Sequence, residues 1–420
     1  MGVMRVIKPG PLSTLQDLGR TGHQQFGVPV NGVMDNDAHR RANALVGNAP
    51  DVATLECTLQ GPVLRFDRDT LIALTGGDLD ARVDDISVPR DCAVLLRAGV
   101  TLHFGARRTG ARAYLAVSGG FDVPTVMGSR STFVRAGYGG FEGRALQRDD
   151  RVPTGAPAVP YRGLLRLMVQ AGVPFAAAPV VPWPMPDETP TDNAARPATD
   201  GTPETAAAGA AANAAGNATA SVTASATASA TTNVTASATT DAAPVAALGA
   251  SAVERKKIPE PAVDGPDEPD AEGTGSRTLR VVAGPQWEAF SATSHTAFAE
   301  LGYKIDSRSD RMGYRLSGEP LALSAPLEMI SEGTPFGTVQ VPPDGQPIVL
   351  MADRQTAGGY PKIAYVASVD LPQLAQAMPE DVVRFHLVSL GRAQHLAQQR
   401  AADLARFAAA AAATLESIAH

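Results

Sequence analysis

Residues Pro182 to Gly275 of this 420-residue chain constrain everything around them. The run opens with WPMPDETPTD, continues as an aromatic-free tract of Ala, Thr, Ser, Gly and Asn, and ends in the acidic, proline-rich PEPAVDGPDEPDAEG. Small polar side chains and alanines bury too little apolar surface to offset the entropy of ordering a chain, and Pro and Gly interrupt regular elements. Alanine favours local helix in AAAGAAANAA. The segment 176–276 therefore reads as a disordered insertion, with an interaction arm as the alternative. It separates an ordered part at 1–175 from a second at 277–390, and 391–420 closes the chain as a helix. A length of this order usually calls for more than one hydrophobic core.

Composition narrows the class further. A net charge of -7 and a pI near 5.6 argue against a general nucleic-acid surface, which needs a basic face. Two cysteines, Cys57 and Cys92, suit buried thiols in a reducing compartment better than a disulfide scaffold. MGVMRVIKPGPLSTLQD carries no apolar signal core, and no long uncharged apolar run suits a bilayer, so a cytoplasmic protein without a membrane partner is expected.

From Ala53 to Phe104 short apolar runs alternate with turns. Ala53–Leu59, Val63–Phe66, Leu71–Leu74, Ala93–Leu96 and Thr101–Phe104 read as strands, and Ala113–Val117 follows them. Without long helical patterns between them, an antiparallel barrel or sandwich is favoured over a doubly wound parallel sheet. Met4–Ile7 reads as an edge strand. Asp37–Val46, capped by Asp35 or Asn36 and stopped by Gly47, reads as a helix with Ala38, Ala42 and Leu45 on one face. The glycine-punctuated loop around Asp17, Arg20, His23 and Asn31 suits ligand binding or internal charge pairing. Arg130 and Arg135, among hydroxyls and glycines, suit an anion site or a salt-bridged rim. Asp78 and Asp80 lack a metal-ligand pattern and read as turn residues, so no metal site is expected.

Ser331–Ile363, SEGTPFGTVQVPPDGQPIVLMADRQTAGGYPKI, concentrates reactive polar side chains. Val339–Val341 and Ile348–Met351 read as strands joined by a tight turn at Pro342, Pro343, Asp344 and Gly345. After the second strand, Asp353, Gln355 and Lys362 bracket Gly358 and Gly359, whose backbone amides a ligand can approach closely. The rim of a sheet thus carries a carboxylate, a carboxamide, exposed amides and an ammonium. No GxxxxGK[ST] motif occurs, which disfavours a self-contained P-loop ATPase.

Taken together, GPLSTLQDLGR, GVPVNGVMD, LVGN, LECTLQGPVLRF, YLAVSGGFDVPTVMGSRSTF, SDRMGYRL, SEGTPFGTVQVPPDGQPIVLMADRQTAGGYPK and DLPQLAQ resemble the biotin-dependent carboxyltransferase family. That family includes the C-subunit of bacterial 5-oxoprolinase, KipA, allophanate hydrolase subunit 2 and part of urea carboxylase. The resemblance spans Met4–Gln170 and Leu279–Val388. It implies a mainly β chain with short helices and two cyclophilin-like β-barrel domains, 1–175 and 277–390. It also implies an ATP-dependent 5-oxoprolinase complex that uses ATP with Mg2+ to convert 5-oxo-L-proline to L-glutamate, this chain being inactive alone. Its partners would be a KipI-like B-subunit and a LamB/YcsF-like A-subunit.

The alternatives are an allophanate hydrolase or urea carboxylase-like carboxyltransferase subunit, or a KipA-like regulator binding a KipI-type partner. No AMKM-type segment is present, so biotin would arrive on another protein. Ala357 replaces the second threonine of the family's QTTGGYPK, and Trp287 and Glu288 stand where relatives often carry Asp after GP. Polarising an amide carbonyl needs donors where negative charge develops on oxygen. The catalytic candidates are Asp353, Lys362 and Gln355. The substrate-binding candidates are Asp17, Arg20, Arg130, Asp310, Arg311, Gln340, Thr356, Gly358, Gly359 and Tyr360, with Arg20 or Arg130 holding a carboxylate.

Overall fold

In the computed structural model the described residues are 2–183 and 276–419, and the expected insertion lies outside them from 184 to 275. The first part contributes β1 (Gly2–Lys8), β2 (Leu12–Gln16), β3 (Thr54–Thr58), β4 (Val63–Phe66), β5 (Thr70–Asp78), β6 (Ala81–Val83), β7 (Ile86–Ser87), β8 (Ala93–Leu96), β9 (Thr101–Phe104), β10 (Thr109–Val117), β11 (Arg151–Thr154) and β12 (Phe175–Ala177). Helix α1 (Asn36–Leu45) follows β2, and α2 (Arg162–Ala171) follows β11. The strands form two six-stranded sheets, ordered β11-β1-β4-β9-β6-β7 and β12-β8-β5-β10-β3-β2. Alternation in each strand turns one set of side chains inward. Met4, Val6, Leu64, Phe66 and Leu102 of the first sheet share a core with Leu15, Leu55, Ile72, Leu74, Val94 and Leu115 of the second.

This corrects the expectation of two β-barrel domains. Among the described residues no strand ladder joins the edges of these two sheets, so the first part is an open two-sheet body. Short apolar strands and tight turns suit two facing sheets as well as a closed one, and only the pairing separates them. The expected edge position of β1 is corrected too. β1 lies between β4 and β11, with Val3 opposite Pro153. Proline cannot donate to a ladder, so β11 takes the edge instead.

The second part contributes β13 (Ser276–Ala283), α3 (Ala292–Glu300), β14 (Tyr303–Ile305), β15 (Gly313–Ser317), β16 (Glu332–Gly333), β17 (Thr338–Gln340), β18 (Ile348–Leu350), β19 (Ala357–Gly358), β20 (Lys362–Val366), α4 (Leu371–Ala375), β21 (Val382–Leu387) and α5 (Leu390–Ile418). Seven strands close a barrel in the order β13-β20-β17-β18-β15-β14-β21. Closure comes from a parallel pairing of β13 with β21, from Ser276 opposite Val382 to Val281 opposite Leu387. Leu279, Val281, Leu316, Val339, Val349 and Ile363 belong to its core, and Phe298 of α3 stacks on Phe385 at 4.4 Å. The Pro342–Gly345 turn forms as expected, with Gly345 at φ 74 donating its N–H to Pro342 O.

The long helix α5 returns to the first part. Phe407, Ala411, Leu415 and Ile418 pack with Ala38, Ala42 and Leu45 of α1 and Leu164 and Met168 of α2 over the outer face of the second sheet. Helix α1 begins as its sequence predicts: the Asp35 side chain accepts from Ala38 N, and Gly47 adopts φ 73 just past the end.

Candidate functional site

The loop after β2 meets the loop after β18 through a chain of buried polar side chains. Asp17 ties its loop to the one after β10: its carboxylate accepts from Ser129 Oγ and Ser131 Oγ, both at 2.6 Å, and from the backbone N–H groups of Gly19 and Arg130. Arg20 is almost wholly buried and donates to Asn31 Oδ1 at 2.5 Å and to Ser131 O, with its guanidinium 4.9 Å from the Tyr138 ring. A Cβ on Gly139 would come within 2.8 Å of Arg20 Nη2, so glycine is what makes room there. Burial pulls the Arg20 guanidinium below its usual pKa.

Asn31 passes the contact on, donating from Nδ2 to Asp353 Oδ1 at 2.9 Å. Asp353 is also gripped by Arg311, at 2.9 Å from Nε and 3.1 Å from Nη2. This paired geometry is the strong form of a charge-assisted bond. Arg311 in turn donates to Gly32 O and reaches Glu56 Oε1 on β3. Burial alone would raise the Glu56 carboxyl, but the Arg311 and Arg112 guanidiniums hold it below the usual range. The Asp353 carboxylate is thus hydrogen-bonded on both oxygens, Oδ1 by Asn31 and Arg311 and Oδ2 by Arg311.

A second cluster sits at the mouth of the barrel. Gln340 of β17 and Lys362 of β20 face each other across the ladder. Lys362 is fully buried, and its ammonium lies 3.0 Å from Glu332 Oε2 and 3.4 Å from Gly358 O. Glu332 and Gly358 belong to a separate ribbon, β16 with β19, laid across the mouth. The hydrogen bond from Lys362 holds the Glu332 carboxyl below its usual pKa. Gln355 Nε2 donates to Gln340 Oε1 at 3.3 Å, and Gln286 Oε1 accepts from Lys362 N at 3.0 Å. The ribbon is tied at its base by Arg354, whose Nε donates to Thr334 O at 2.7 Å.

The remaining candidates divide between these places. Thr356 supplies a carbonyl to Thr334 N beside the ribbon, and Gly359 and Tyr360 are exposed at its lip. Asp310 caps its own turn, accepting from Met312 N and Gly313 N, and stands apart from the mouth. Arg130 spends its Nε on Val123 O. Asp353 and Lys362 do not pair with each other. Sequence reasoning passed over Glu56, Glu332 and Gln376. The signal for Glu56 was a lone charge within the apolar strand TLECT, and for Glu332 a lone acid within SEGTPFG. Gln376 carries none.

The mouth does not fit a nucleotide. A triphosphate needs several cations or free amides converging on it, whereas Lys362 is matched by Glu332 and Arg354 is spent on the carbonyls of Thr334 and Met351. Among the described residues no group of three His, Cys, Asp or Glu could hold a metal ion. Among them, too, no helix is long and apolar enough to cross a membrane.

Residues 26–200 and 201–387 match the family model for the carboxyltransferase domain, subdomain A and B. The 5-oxoprolinase C-subunit of Escherichia coli (strain K12) is 30% identical over 394 residues, 93% of this chain and 93% of that protein. Urea amidolyase of Saccharomyces cerevisiae is 40% identical over 148 residues, 35% of this chain and 8% of that one. The crystal structure of the K. lactis urea amidolyase shares the fold over 96% of this chain and 20% of its own, with a TM-score of 0.68 at 23% identity. On the family model and on a relative matched along nearly its whole length, this chain belongs to the carboxyltransferase family built from subdomains A and B.

Proposed function

We propose that the chain is the C-subunit of an ATP-dependent 5-oxoprolinase complex that converts 5-oxo-L-proline to L-glutamate. One observation carries the reading: the similarity to the 5-oxoprolinase C-subunit runs over 93% of both chains. In this reaction water adds its oxygen to the ring carbonyl carbon, the ring C–N bond breaks, and the nitrogen leaves with a proton. Negative charge develops on the carbonyl oxygen, and the Lys362 ammonium with the Gln340 carboxamide supplies donors for it. Asp353, locked between Arg311 and Asn31, is a positioning residue that fixes the loop leading to Gln355 and Gly358. The nucleotide is used in the assembled complex, beside a KipI-like B-subunit and a LamB/YcsF-like A-subunit.

The test is reconstitution. The purified chain alone should produce little glutamate from 5-oxo-L-proline and ATP, and the chain with its B- and A-subunits should produce it. Lys362→Met in the assembled complex should lower turnover by two orders of magnitude or more, as removal of an oxyanion donor does, with the complex intact by gel filtration. Full activity from the single chain, or wild-type turnover in the variant, would overturn the assignment. The 40% identity to urea amidolyase within the matched segment favours a second reading, carboxyl transfer onto a urea-like amide. Consumption of urea with bicarbonate and a biotinylated carrier, and none of 5-oxo-L-proline, would select it.

A further inference from the structure

Lys362 places a cation where water does not reach, and such a charge persists only when paired. Its partner comes from outside the barrel. Glu332 stands on a two-residue strand, with 48% of its side chain exposed, and its ladder to β19 is only two residue pairs long. So short a ribbon is marginal on its own. Beside Lys362, Gln340 is 2% exposed and its Nε2 has no hydrogen-bond partner among the described residues. Both groups lie against Gly358: the ammonium donates to its carbonyl, and a Cβ there would come within 2.5 Å of Gln340 Nε2.

The mismatch is informative. Glu332 Oε2 accepts from Lys362 and, at 3.4 Å, from Gln286 Nε2, yet the carboxylate gives Gln340 nothing. A carboxylate is planar with two acceptor oxygens. One tethered to the ribbon serves the ammonium alone; one free to rotate and enter more deeply can take the ammonium on one oxygen and the orphan N–H of Gln340 on the other. We propose that Lys362 and Gln340 form a subsite for the carboxylate group of a small-molecule ligand, and that Glu332 is the internal carboxylate the ligand displaces. Glu332 then swings into water, where a carboxylate is well solvated, and the ribbon opens with it. The proposal rests on reading the barrel mouth as the site, but not on which reaction occurs there; under the oxoprolinase reading the carboxylate held is the one the ring carbonyl becomes, so the donors that meet its developing charge then hold the new carboxylate.

The experiment uses the full chain, acetate as probe, and chloride at equal ionic strength as control. Lys362 acetylation by a soluble anhydride is followed by mass spectrometry, and acetate affinity by calorimetry. Glu332→Gln, a change on the exposed ribbon, should raise the labelling rate of Lys362 at least tenfold and tighten acetate binding at least tenfold, with acetate but not chloride slowing the labelling. Adding Lys362→Met to Glu332→Gln should abolish acetate binding, and adding Gln340→Met should weaken it about tenfold. Equal acetate affinity in wild type and Glu332→Gln, equal protection by chloride, or binding that survives Lys362→Met would each overturn the proposal. Acetate binding as expected, in a chain whose assembled complex makes no glutamate, would leave the subsite standing and remove the oxoprolinase reading instead.

Discussion

Glu56 has no water to turn to, so the protein supplies every partner. Its Oε2 accepts from Met34 N at 2.9 Å and from Tyr114 Oη at 2.8 Å, while Oε1 faces Arg311. Removing the charge leaves Arg311 with Asp353 but unmatched on its other side, and breaking a buried pair costs about 3–5 kcal/mol. Glu56→Gln should lose stability of that order in urea denaturation at neutral pH. Its carboxyl is held low, so this contribution is present above the unfolded value and lost as pH falls through the folded one. Wild type and variant should therefore converge in acid, and a constant difference down to pH 2 would refute the assignment. At this scale the sequence was legible where chemistry was dense: Asp17, Arg20, Asn31, Arg311 and Asp353 all fall in one network. It was not legible in who pairs with whom. An ammonium at Lys362 says nothing of Glu332, because their contact depends on a ribbon of two residue pairs that no periodicity encodes.

Helices α1 and α5 are joined by an ion pair that works against burial. Arg400 Nη1 lies 3.1 Å from Asp37 Oδ2, yet burial, with the nearby Asp35 charge, pushes the Asp37 carboxyl up to about 6. Two residues on, burial pulls His39 down to about 4. Its Nε2 faces Pro50 O and must donate, so Nδ1 accepts from Thr54 Oγ1. The two groups oppose each other in acid. The raised Asp37 gives stability that is full below the ordinary carboxyl value and lost as pH rises from about 4 to about 6; the lowered His39 gives stability that is full above about 6.5 and lost as pH falls to about 4. Asp37→Asn removes the first and leaves the second. Between pH 6 and 4 the variant should lose roughly 3 kcal/mol more stability than wild type, read from urea midpoints across the range; parallel curves would refute it. Capping and periodicity made α1 and α5 readable. Helix α2 escaped because Tyr161 at its start offers no side-chain cap.

Across the molecule, the two described parts are held by bonds that neither could satisfy alone. Gln376, just after α4, accepts from Ala111 N and Arg112 N and donates to Asp35 Oδ2 and Arg112 O, filling its carboxamide. Arg112 donates to Tyr314 Oη at 2.6 Å, and Arg311 seals Glu56. Residues 1–183 and 276–420, co-expressed as two chains, should therefore co-purify and melt in a single transition, and each alone should aggregate or melt at least 10 °C lower. Independent, unaltered melting of the two pieces would show that the seam is dispensable. Strand positions were the most readable feature of the fold; closure was the least, since an identical string of short strands serves an open pair of sheets and a barrel.

The parallel pairing of β13 with β21 also sets an order of events as the polypeptide leaves the ribosome. Synthesis runs from the N-terminus, so the strands around Glu56 can assemble while Arg311 is still untranslated. The first part then holds Glu56 without Arg311, and the barrel that carries that cation cannot close until β21, ending at Leu387, has emerged. Closure of the barrel falls to the last strand translated.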